Sequence, residues 1–233
     1  MGLRTADQYL AGLRDSRVVF YGGEPVKDVT AHPALSLAAE HGATVFGFAR
    51  ESPDLFTYDS EYEERCSAYF KIPRSSQDLL RRAGLIEETT RRCRSTFNII
   101  KAVGTDALDA LHVVAARIDR TLGSSYLPRV REYHRRCAVN DLSLALAQTD
   151  VKGDRGKRPH EQPNPDAFVR IVERRSDGIV VRGAKAHTTM APVVDELIVI
   201  PTRALSEADR EYAVAFAIPA ETPGVKMVCR TIG

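Results

Sequence analysis

The stretch from residue 144 to residue 190 constrains this chain most, because short apolar segments alternate there with polar clusters. It begins with Leu144-Ala-Leu-Ala-Gln-Thr-Asp-Val-Lys-Gly-Asp-Arg-Gly156 and ends with Gly183-Ala-Lys-Ala-His-Thr-Thr-Met190. Between them, Phe168-Val-Arg-Ile-Val-Glu-Arg-Arg175 alternates as a half-buried strand does, and a Ser-Asp-Gly turn leads into Ile179-Val-Val-Arg182. The pattern predicts a small antiparallel sheet in which two neighbouring strands each end in a polar cluster.

These motifs resemble those of the acyl-CoA dehydrogenase-like flavoproteins, whose middle domain holds a flavin ring between a Thr-containing loop and a Thr-containing strand end. The resemblance is closer to one subset, the 4-hydroxyphenylacetate 3-hydroxylase and 4-hydroxybutyryl-CoA dehydratase family. It is carried by Gln148 to Gly156, by Arg170 to His187, and by an N-terminal segment near residues 5 to 33. It covers nearly the whole chain and implies an FAD-dependent enzyme.

The composition is that of an ordinary globular protein, with 43% apolar and 27% charged residues among 233. That length predicts one or two domains. A net charge of +2 gives little support to nucleic-acid binding. No run approaches the roughly 20 apolar residues that span a bilayer, and the N-terminus lacks a signal-peptide core. We therefore expect no membrane segment and a cytoplasmic location.

The four cysteines are widely separated and form no C-x-x-C pair. In a cytoplasmic protein such cysteines are most often buried or semi-buried thiols. The acidic stretch between Asp54 and Glu64 lacks the compact spacing of divalent-cation ligands. The sequence therefore predicts no metal site.

Helical periodicity dominates the first 140 residues. Thr5 is expected to cap a helix that continues to Arg14, and Gly22-Gly23 is expected to turn a β-hairpin. Residues 42–69 are expected to form a solvent-facing loop and an irregular strand. Further helices are predicted over residues 34–41, 75–82, 86–102, 105–122 and 126–137.

The rest of the chain is predicted to be rich in strands, with candidates in its last segment at residues 196–202 and 212–218. The expected fold class is α+β, with an N-terminal mainly helical domain (1–140) followed by a β-rich flavin-binding middle domain (141–233). The resemblance implies that the second is an antiparallel, β-barrel-like domain of the acyl-CoA dehydrogenase-like type. Family members continue through a C-terminal four-helix domain, which the chain is expected to lack as a fragment, a truncated product or half of a split enzyme.

The resemblance places the FAD contacts in the two polar clusters. Threonine hydroxyls sit on short, restricted side chains, Lys152 and Arg155 can meet phosphate, and glycines let the backbone come close. The alternative is a tight surface turn in which Asp154 and Arg155 pair with each other. The expected cofactor-binding residues are Gln148, Thr149, Asp150, Lys152, Gly153, Asp154, Arg155, Gly156, His187, Thr188 and Thr189.

His187 and Lys101 are the candidate catalytic residues. An imidazole can hydrogen-bond to the flavin or transfer a proton, although a histidine at a strand end is as often only structural. Lys101 lies in Asn98-Ile-Ile-Lys-Ala-Val-Gly-Thr-Asp106, on a helix where the family places substrate-side residues. Its alternative is a solvated surface cation.

Departures from the family pattern separate the candidate reactions. The dehydratase branch holds an iron–sulfur cluster through two cysteines whose positions Asn98 and Ala102 occupy here, and neither side chain can replace a thiolate. The phenol-orienting residues of the hydroxylase branch are not evident either, since Val103, Ala107 and Leu146 stand near their positions. The flavin fold is supported, and the substrate stays unassigned.

The favoured function is the oxygenase part of a two-component flavin monooxygenase that uses reduced FAD and oxygen on an aromatic or related small molecule. One alternative is a 4-hydroxybutyryl-CoA dehydratase/vinylacetyl-CoA isomerase-like flavoenzyme. Another is a non-catalytic or split flavin-fold subunit that needs a C-terminal partner. The expected partners are a flavin reductase that supplies reduced FAD, and either further copies of the chain or a chain that carries the C-terminal domain. We expect the isolated chain to bind FAD weakly.

Overall fold

The computed structural model describes residues 2–62, 64–151 and 153–231. Its helices are α1 (Ala6–Gly12), α2 (Leu35–Glu51), α3 (Pro53–Phe56), α4 (Ser76–Arg92), α5 (Ile99–Leu122) and α6 (Tyr126–Val139). Its strands are β1 (Val19–Tyr21), β2 (Glu24–Val26), β3 (Thr57–Asp59), β4 (Arg65–Ser67), β5 (Leu144–Ala147), β6 (Arg170–Arg174), β7 (Ile179–Arg182), β8 (Glu196–Val199), β9 (Phe216–Pro219) and β10 (Met227–Cys229). The chain therefore mixes helix and sheet, as the sequence predicts.

The chain divides into two compact units. Unit 1 comprises Met1–Ala145, Met190–Glu196 and Pro219–Gly233, and unit 2 comprises Leu146–Thr189 and Leu197–Ile218. The predicted domain limits of 1–140 and 141–233 differ from this division, because two later segments return to the helical unit. As the limits of independently folding domains they remain a prediction.

The first helix begins as its sequence predicts. The Thr5 hydroxyl accepts a hydrogen bond from the Gln8 amide at 3.1 Å, and the Gln8 side chain accepts one from the Thr5 amide at 2.9 Å. This reciprocal capping box satisfies two amides that a helix N-terminus otherwise leaves unpaired. Tyr9, on the buried face of α1, stacks on Phe46 with ring centroids 4.6 Å apart.

The prediction of a loop from residue 42 is wrong for the first ten residues, because α2 continues to Glu51. Val45, Phe46 and Phe48 are buried on this second half of the helix. Gly42 has low intrinsic helix propensity, but a Cβ atom there would lie 2.5 Å from the Tyr9 hydroxyl. Packing of α1 on α2 therefore outweighs the local signal that suggested a stop. The remainder of the predicted loop contains α3 and the antiparallel pair β3 and β4.

Helix limits also differ in the middle of the chain. The predicted helix from 86 to 102 is interrupted, because α4 ends at Arg92 and the residues Arg94 and Ser95 adopt positive φ. The predicted break between 102 and 105 is absent, since α5 runs without interruption from Ile99 to Leu122. Gly104 lies inside it because a Cβ atom at this position would overlap with the side chain of Leu144.

Unit 1 also contains a three-stranded sheet in the order β10, β1, β2. Strand β1 pairs antiparallel with β2 through a turn at Gly22 and Gly23, whose φ values are 59° and 94°. Two consecutive positive φ values are typical of a two-residue hairpin turn, so the predicted hairpin is confirmed. Strand β10 pairs parallel with β1, a contact that no local pattern indicated.

Unit 2 contains β6, β7, half of β5 and most of β8 and β9, because unit 1 includes Leu144, Ala145, Glu196 and Pro219. Strands β5, β8 and β9 form one sheet in that order, and β6 and β7 form a separate antiparallel hairpin. Within the described residues these strands do not close into a barrel, so the barrel-like detail of the expected fold is not found. The strand predicted from 212 to 218 is shorter than expected, because residues 207–212 form a 3-10 turn capped by Ser206.

All four cysteines are free thiols; Cys66 and Cys137 are buried, and Cys93 and Cys229 are half-buried. This confirms the prediction of buried or semi-buried thiols. Over the described ranges, no helix has both the length and the apolar character needed to cross a bilayer. No three His, Cys, Asp or Glu side chains come together there as metal ligands.

Candidate functional site

The two polar clusters meet within unit 2. The amide of Ala186 donates to the carbonyl oxygen of Thr149 at 2.8 Å, and Asp150 and Lys185 form an isolated antiparallel bridge. The loop that follows β5 and the segment that follows β7 therefore run side by side. The prediction that the two clusters end neighbouring strands of one sheet is wrong, because β5 lies beside β8 and β7 pairs with β6. The segments beyond the two strands are what meet.

The first loop wraps around the side chain of Gln162, which is buried. The carboxamide oxygen of Gln162 accepts from the Asp154 amide at 3.0 Å, and its nitrogen donates to the Asp154 carbonyl at 2.8 Å. Gly153 has φ of 50°, and a Cβ atom there would overlap with the Gln162 oxygen. The loop is thus a closely packed turn that requires glycine at this position.

A buried carboxylate anchors the chain just after that loop. Asp209 is fully buried and accepts hydrogen bonds from Arg158, from His160 Nδ1 at 2.7 Å and from the Ser206 amide at 2.9 Å. Burial opposes ionisation of this group, but the hydrogen bonds from His160, Ser206 and Arg158 hold the pKa of Asp209 well below its usual range. This cluster around Asp209 connects the end of the first loop to the 3-10 turn at residues 207–212. No pattern in the sequence indicated it.

The side chains of the first loop divide into paired and unpaired groups. The Asp154 carboxylate accepts from the Gly156 amide at 2.9 Å, and the described residues contain no ion pair between Asp154 and Arg155. The segment is a tight turn, as the structural alternative predicts, but the internal ion pair of that alternative is wrong. Arg155 is exposed. Lys152, also predicted to bind the cofactor, lies outside the described residues.

The second cluster has an unusual backbone. His187 has φ of 54°, in the left-handed region that non-glycine residues rarely adopt. Gly183 has φ of 143°, and a Cβ atom there would overlap with the backbone of Phe168 and Val169. The segment from Gly183 to His187 therefore depends on close packing against the start of the β6 region. Thr188 is half-buried, while His187 and Thr189 are exposed.

Five candidate side chains have no partner in the described part of the protein. They make no hydrogen bond or ion pair there, and all lie on the two segments that the bond between Ala186 and Thr149 joins: Thr149, Arg155, His187, Thr188 and Thr189. Polar side chains next to a well-paired backbone are available to a ligand. Gln148 is also exposed, and its carbonyl oxygen accepts from Thr202.

Asp150 differs from the other candidates, because its carboxylate already has a partner. It is buried and lies 2.5 Å from the ammonium of Lys185. The pair lines a narrow cleft of unit 2 together with Phe168, Pro201 and Tyr212. Sequence reasoning missed Lys185 as it missed Gln162, because nothing in its neighbours distinguishes a buried lysine from one on the surface.

Lys101 lies in unit 1 and is buried, with 1% of its surface exposed. Its ammonium is 2.5 Å from the Asp141 carboxylate and 4.3 Å from the ring centroid of Phe46. Burial lowers the pKa of Lys101, and the Asp141 charge opposes that shift. The alternative of a solvated surface cation is therefore wrong, and the position fits an internal ion pair. Asp141 also accepts from the Arg4 amide at 3.2 Å, and the Arg4 guanidinium pairs with Asp195.

Residues 5–232 match the family described as 4-hydroxyphenylacetate 3-hydroxylase N terminal. The chain belongs to this family. It is 36% identical over 231 residues to the 4-hydroxybutyryl-CoA dehydratase/vinylacetyl-CoA-Delta-isomerase of Clostridium aminobutyricum, covering 97% of this chain and 46% of that protein.

Two solved structures of family relatives are similar to this chain. An oxygen-tolerant archaeal 4-hydroxybutyryl-CoA dehydratase from N. maritimus superposes with a TM-score of 0.92 at 32% identity, over 97% of this chain and 45% of that one. The oxygenase component of 4-hydroxyphenylacetate 3-monooxygenase, complexed with FAD, superposes with a TM-score of 0.83 at 30% identity, over 98% and 47%. The chain thus spans just under half the length of these relatives.

Proposed function

We propose that this chain is the flavin-binding part of a two-component flavin monooxygenase, with FAD as its cofactor. One observation carries the proposal: five polar side chains on two converging segments of unit 2 are unpaired within the described residues, while the Ala186 amide and the Asp154 backbone beside them are hydrogen-bonded. That pattern fits a preformed site whose polar side chains can bind a polar ligand. The FAD complex of a similar oxygenase component supports the identity of the ligand.

The proposed roles follow from the chemistry of each side chain. The hydroxyls of Thr149, Thr188 and Thr189 are proposed to hydrogen-bond to the polar edge of the isoalloxazine. Arg155 pairs with the pyrophosphate, because a guanidinium forms two parallel hydrogen bonds to phosphate oxygens. Gly156 lets the backbone approach the cofactor, and Gly153 accommodates the Gln162 side chain inside the loop. When bound, FAD supplies the redox chemistry, and the protein contributes orientation and exclusion of water.

Two candidate residues carry proposed catalytic roles. The exposed imidazole of His187 is proposed to move a proton at its ring nitrogen, since no described residue occupies either nitrogen. Lys101 remains a weaker proposal, because its ammonium is already paired with Asp141. Gln148, Asp150 and Asp154 are proposed to shape the FAD loop, and Lys152, outside the described residues, is proposed to pair with FAD phosphate.

The finer fold assignment is also part of this proposal. Superposition on two family structures over nearly the whole chain supports an acyl-CoA dehydrogenase-like arrangement, with residues 1–140 as a helical domain and 141–233 as a flavin-binding domain. A flavin reductase and a small-molecule substrate are the proposed partners. More than half of each relative lies outside the match. We therefore also propose that additional polypeptide, from a partner protein or from another copy of this chain, completes the FAD pocket.

A dehydratase/isomerase-like activity is the second candidate, and two measures of similarity favour it. Both the sequence identity and the TM-score are higher for dehydratases than for the oxygenase component. The two positions where that branch has cluster cysteines oppose it. Asn98 is buried and donates its carboxamide to the His41 carbonyl at 2.7 Å, and Ala102 is fully buried without any metal-binding atom. A non-catalytic flavin-fold subunit is the third candidate.

Titration of the purified chain with FAD tests the cofactor, with flavin fluorescence as the readout. Saturable binding that the exposed-loop variant Arg155→Ala weakens, and that the control Arg210→Ala leaves unchanged, is the expected result. Arg210 lies on the same unit with 73% of its side chain exposed. No saturable binding by the wild-type chain would overturn the proposal.

A second measurement separates the reactions. The chain is purified under anaerobic conditions, its iron and sulfide per flavin are measured, and it is then mixed with reduced FAD and oxygen. We expect iron-free protein that alters the rate of oxygen consumption by reduced FAD. Near-stoichiometric four-iron content would favour the dehydratase, and iron-free protein without effect on oxygen consumption would favour the non-catalytic subunit.

A further inference from the structure

The ammonium of Lys185 stands where three segments of unit 2 cross. It donates to the Asp150 carboxylate at 2.5 Å, to the Gln148 carbonyl at 2.9 Å and to the Ile200 carbonyl at 2.7 Å. An ammonium has three donors, so each is used. Only 9% of the Lys185 side chain and 6% of the Asp150 side chain are exposed, so water competes little for these bonds.

The groups that Lys185 joins surround the candidate FAD contacts. Two of its acceptors, on Gln148 and Asp150, flank Thr149 on the first loop. Lys185 itself precedes Ala186 and His187 on the second segment, and the Ala186 amide bonds to Thr149. The third acceptor, on Ile200, follows β8, where the Ile200 amide donates to the Ala147 carbonyl at 3.3 Å. The Lys185 ammonium therefore fixes the distance between the Thr149 loop and the segment that contains His187.

The backbone next to Lys185 needs such support. His187 holds a left-handed conformation that is unfavourable for a residue with a Cβ atom, and such conformations persist only where surrounding contacts enforce them. Within unit 2, the bridge between Asp150 and Lys185 and the bond between Ala186 and Thr149 fix the chain directly before it. Their loss would let the segment relax and carry Thr188 and Thr189 away from Thr149.

We infer that Lys185 is a positioning residue for the flavin: without touching the cofactor, it holds the Thr149 loop and the His187–Thr189 segment at the separation that FAD binding requires. This inference rests on the proposed function. It assigns Asp150 to the same device, as the carboxylate partner of Lys185 rather than as a direct contact to FAD.

The test compares Lys185→Met with Thr202→Val in the full chain. Methionine keeps an unbranched side chain but removes the charge and all three donors, whereas Thr202→Val removes only one hydroxyl that donates to the same Gln148 carbonyl. We expect Lys185→Met to lower the affinity for FAD about tenfold or more, and Thr202→Val to change that affinity little. If Lys185→Met fails to fold, Asp150→Asn takes its place, with a smaller expected loss because it removes the negative charge but keeps the two carbonyl acceptors and a carboxamide oxygen.

Amide hydrogen exchange without FAD provides a readout independent of the cofactor. We expect the Ala186 amide to exchange about tenfold faster in Lys185→Met, while the Arg175 amide, which bonds to Gly178 at 2.8 Å in the hairpin turn, keeps its rate. Equal acceleration of both amides would mean general destabilisation and would overturn the inference. If the wild-type chain binds FAD and Lys185→Met binds it equally well, the inference is wrong while the proposed function stands. Absence of wild-type binding would overturn the proposed function and the inference together.

Discussion

The amide of Ala186 donates a 2.8 Å hydrogen bond to the carbonyl oxygen of Thr149, and this bond places the two polar clusters of unit 2 beside each other. Thr149 belongs to the loop after β5, and Ala186 belongs to the segment after β7. The threonines and the histidine of both segments keep their side chains unpaired around this bond. The geometry explains how two short motifs far apart in sequence can serve one ligand.

Arg155→Ala should weaken FAD binding by about 1.5–3 kcal/mol, the range for a lost charge-assisted hydrogen bond. The free energy of unfolding should stay unchanged, because Arg155 is exposed and makes no bond within the described residues. Fluorescence titration and urea denaturation measure the two quantities. Unchanged affinity together with a lowered melting temperature would contradict the phosphate role and favour a surface turn.

Gly183→Ala should destabilise the chain by roughly 1–3 kcal/mol from backbone strain, with steric overlap against Phe168 and Val169 in addition. Gly178→Ala is the matched control, since no atom lies within 4 Å of a Cβ atom placed there. That variant should stay within about 0.5 kcal/mol of wild type. Urea denaturation of both variants checks the contrast, and equal effects would argue against close approach at Gly183.

Lys101→Met should lower the free energy of unfolding by about 3–5 kcal/mol, because it leaves the Asp141 carboxylate buried without its partner. The double variant Lys101→Met/Asp141→Asn should recover part of that loss, since it removes the unpaired charge as well. Arg135→Met, which breaks an exposed pair with Glu132, should change stability little. A double variant no more stable than Lys101→Met would show that the charge pairing is not what matters.

His112 and Asp109, two half-buried residues of α5, should change the free energy of unfolding with pH in opposite directions. Burial lowers the pKa of His112 to about 4, and His112 Nε2 has no hydrogen-bond partner in the described structure. The unfolded chain therefore takes up a proton before the folded chain does, so this group costs stability as the pH falls from about 6.5 toward 4. Burial also raises the pKa of Asp109 to about 6, so this group costs stability as the pH rises through that range.

Urea denaturation between about pH 4 and pH 7, the range over which both groups affect stability, separates the two contributions. His112→Gln should make the chain less sensitive to acid than wild type, and Asp109→Asn should make it more sensitive. Stability curves that run parallel to that of wild type in both variants would contradict the assignment.

Several elements follow from residues that are close in sequence. Thr5 and Gln8 are three positions apart and form the predicted capping box, and the Ser75 hydroxyl likewise accepts from the Asp78 amide at the start of α4. Gly22 and Gly23 determine the hairpin of β1 and β2 through their own backbone freedom. The β6 and β7 hairpin follows equally from alternation and a turn. These predictions succeed because the stabilising contacts lie within the same few residues.

The amino-acid sequence by itself determined the mixed helix-and-sheet class, the family, the caps and hairpins, and the two segments that carry the candidate site. Tertiary structure alone decided that α2 continues past Gly42 under Tyr9, that Lys101 is buried against Asp141, and that Lys185 joins Asp150 to two carbonyl oxygens. The physical reason is common to all three: the burial of a glycine or a lysine depends on partners 15 or more residues away, and a local pattern contains no information about them.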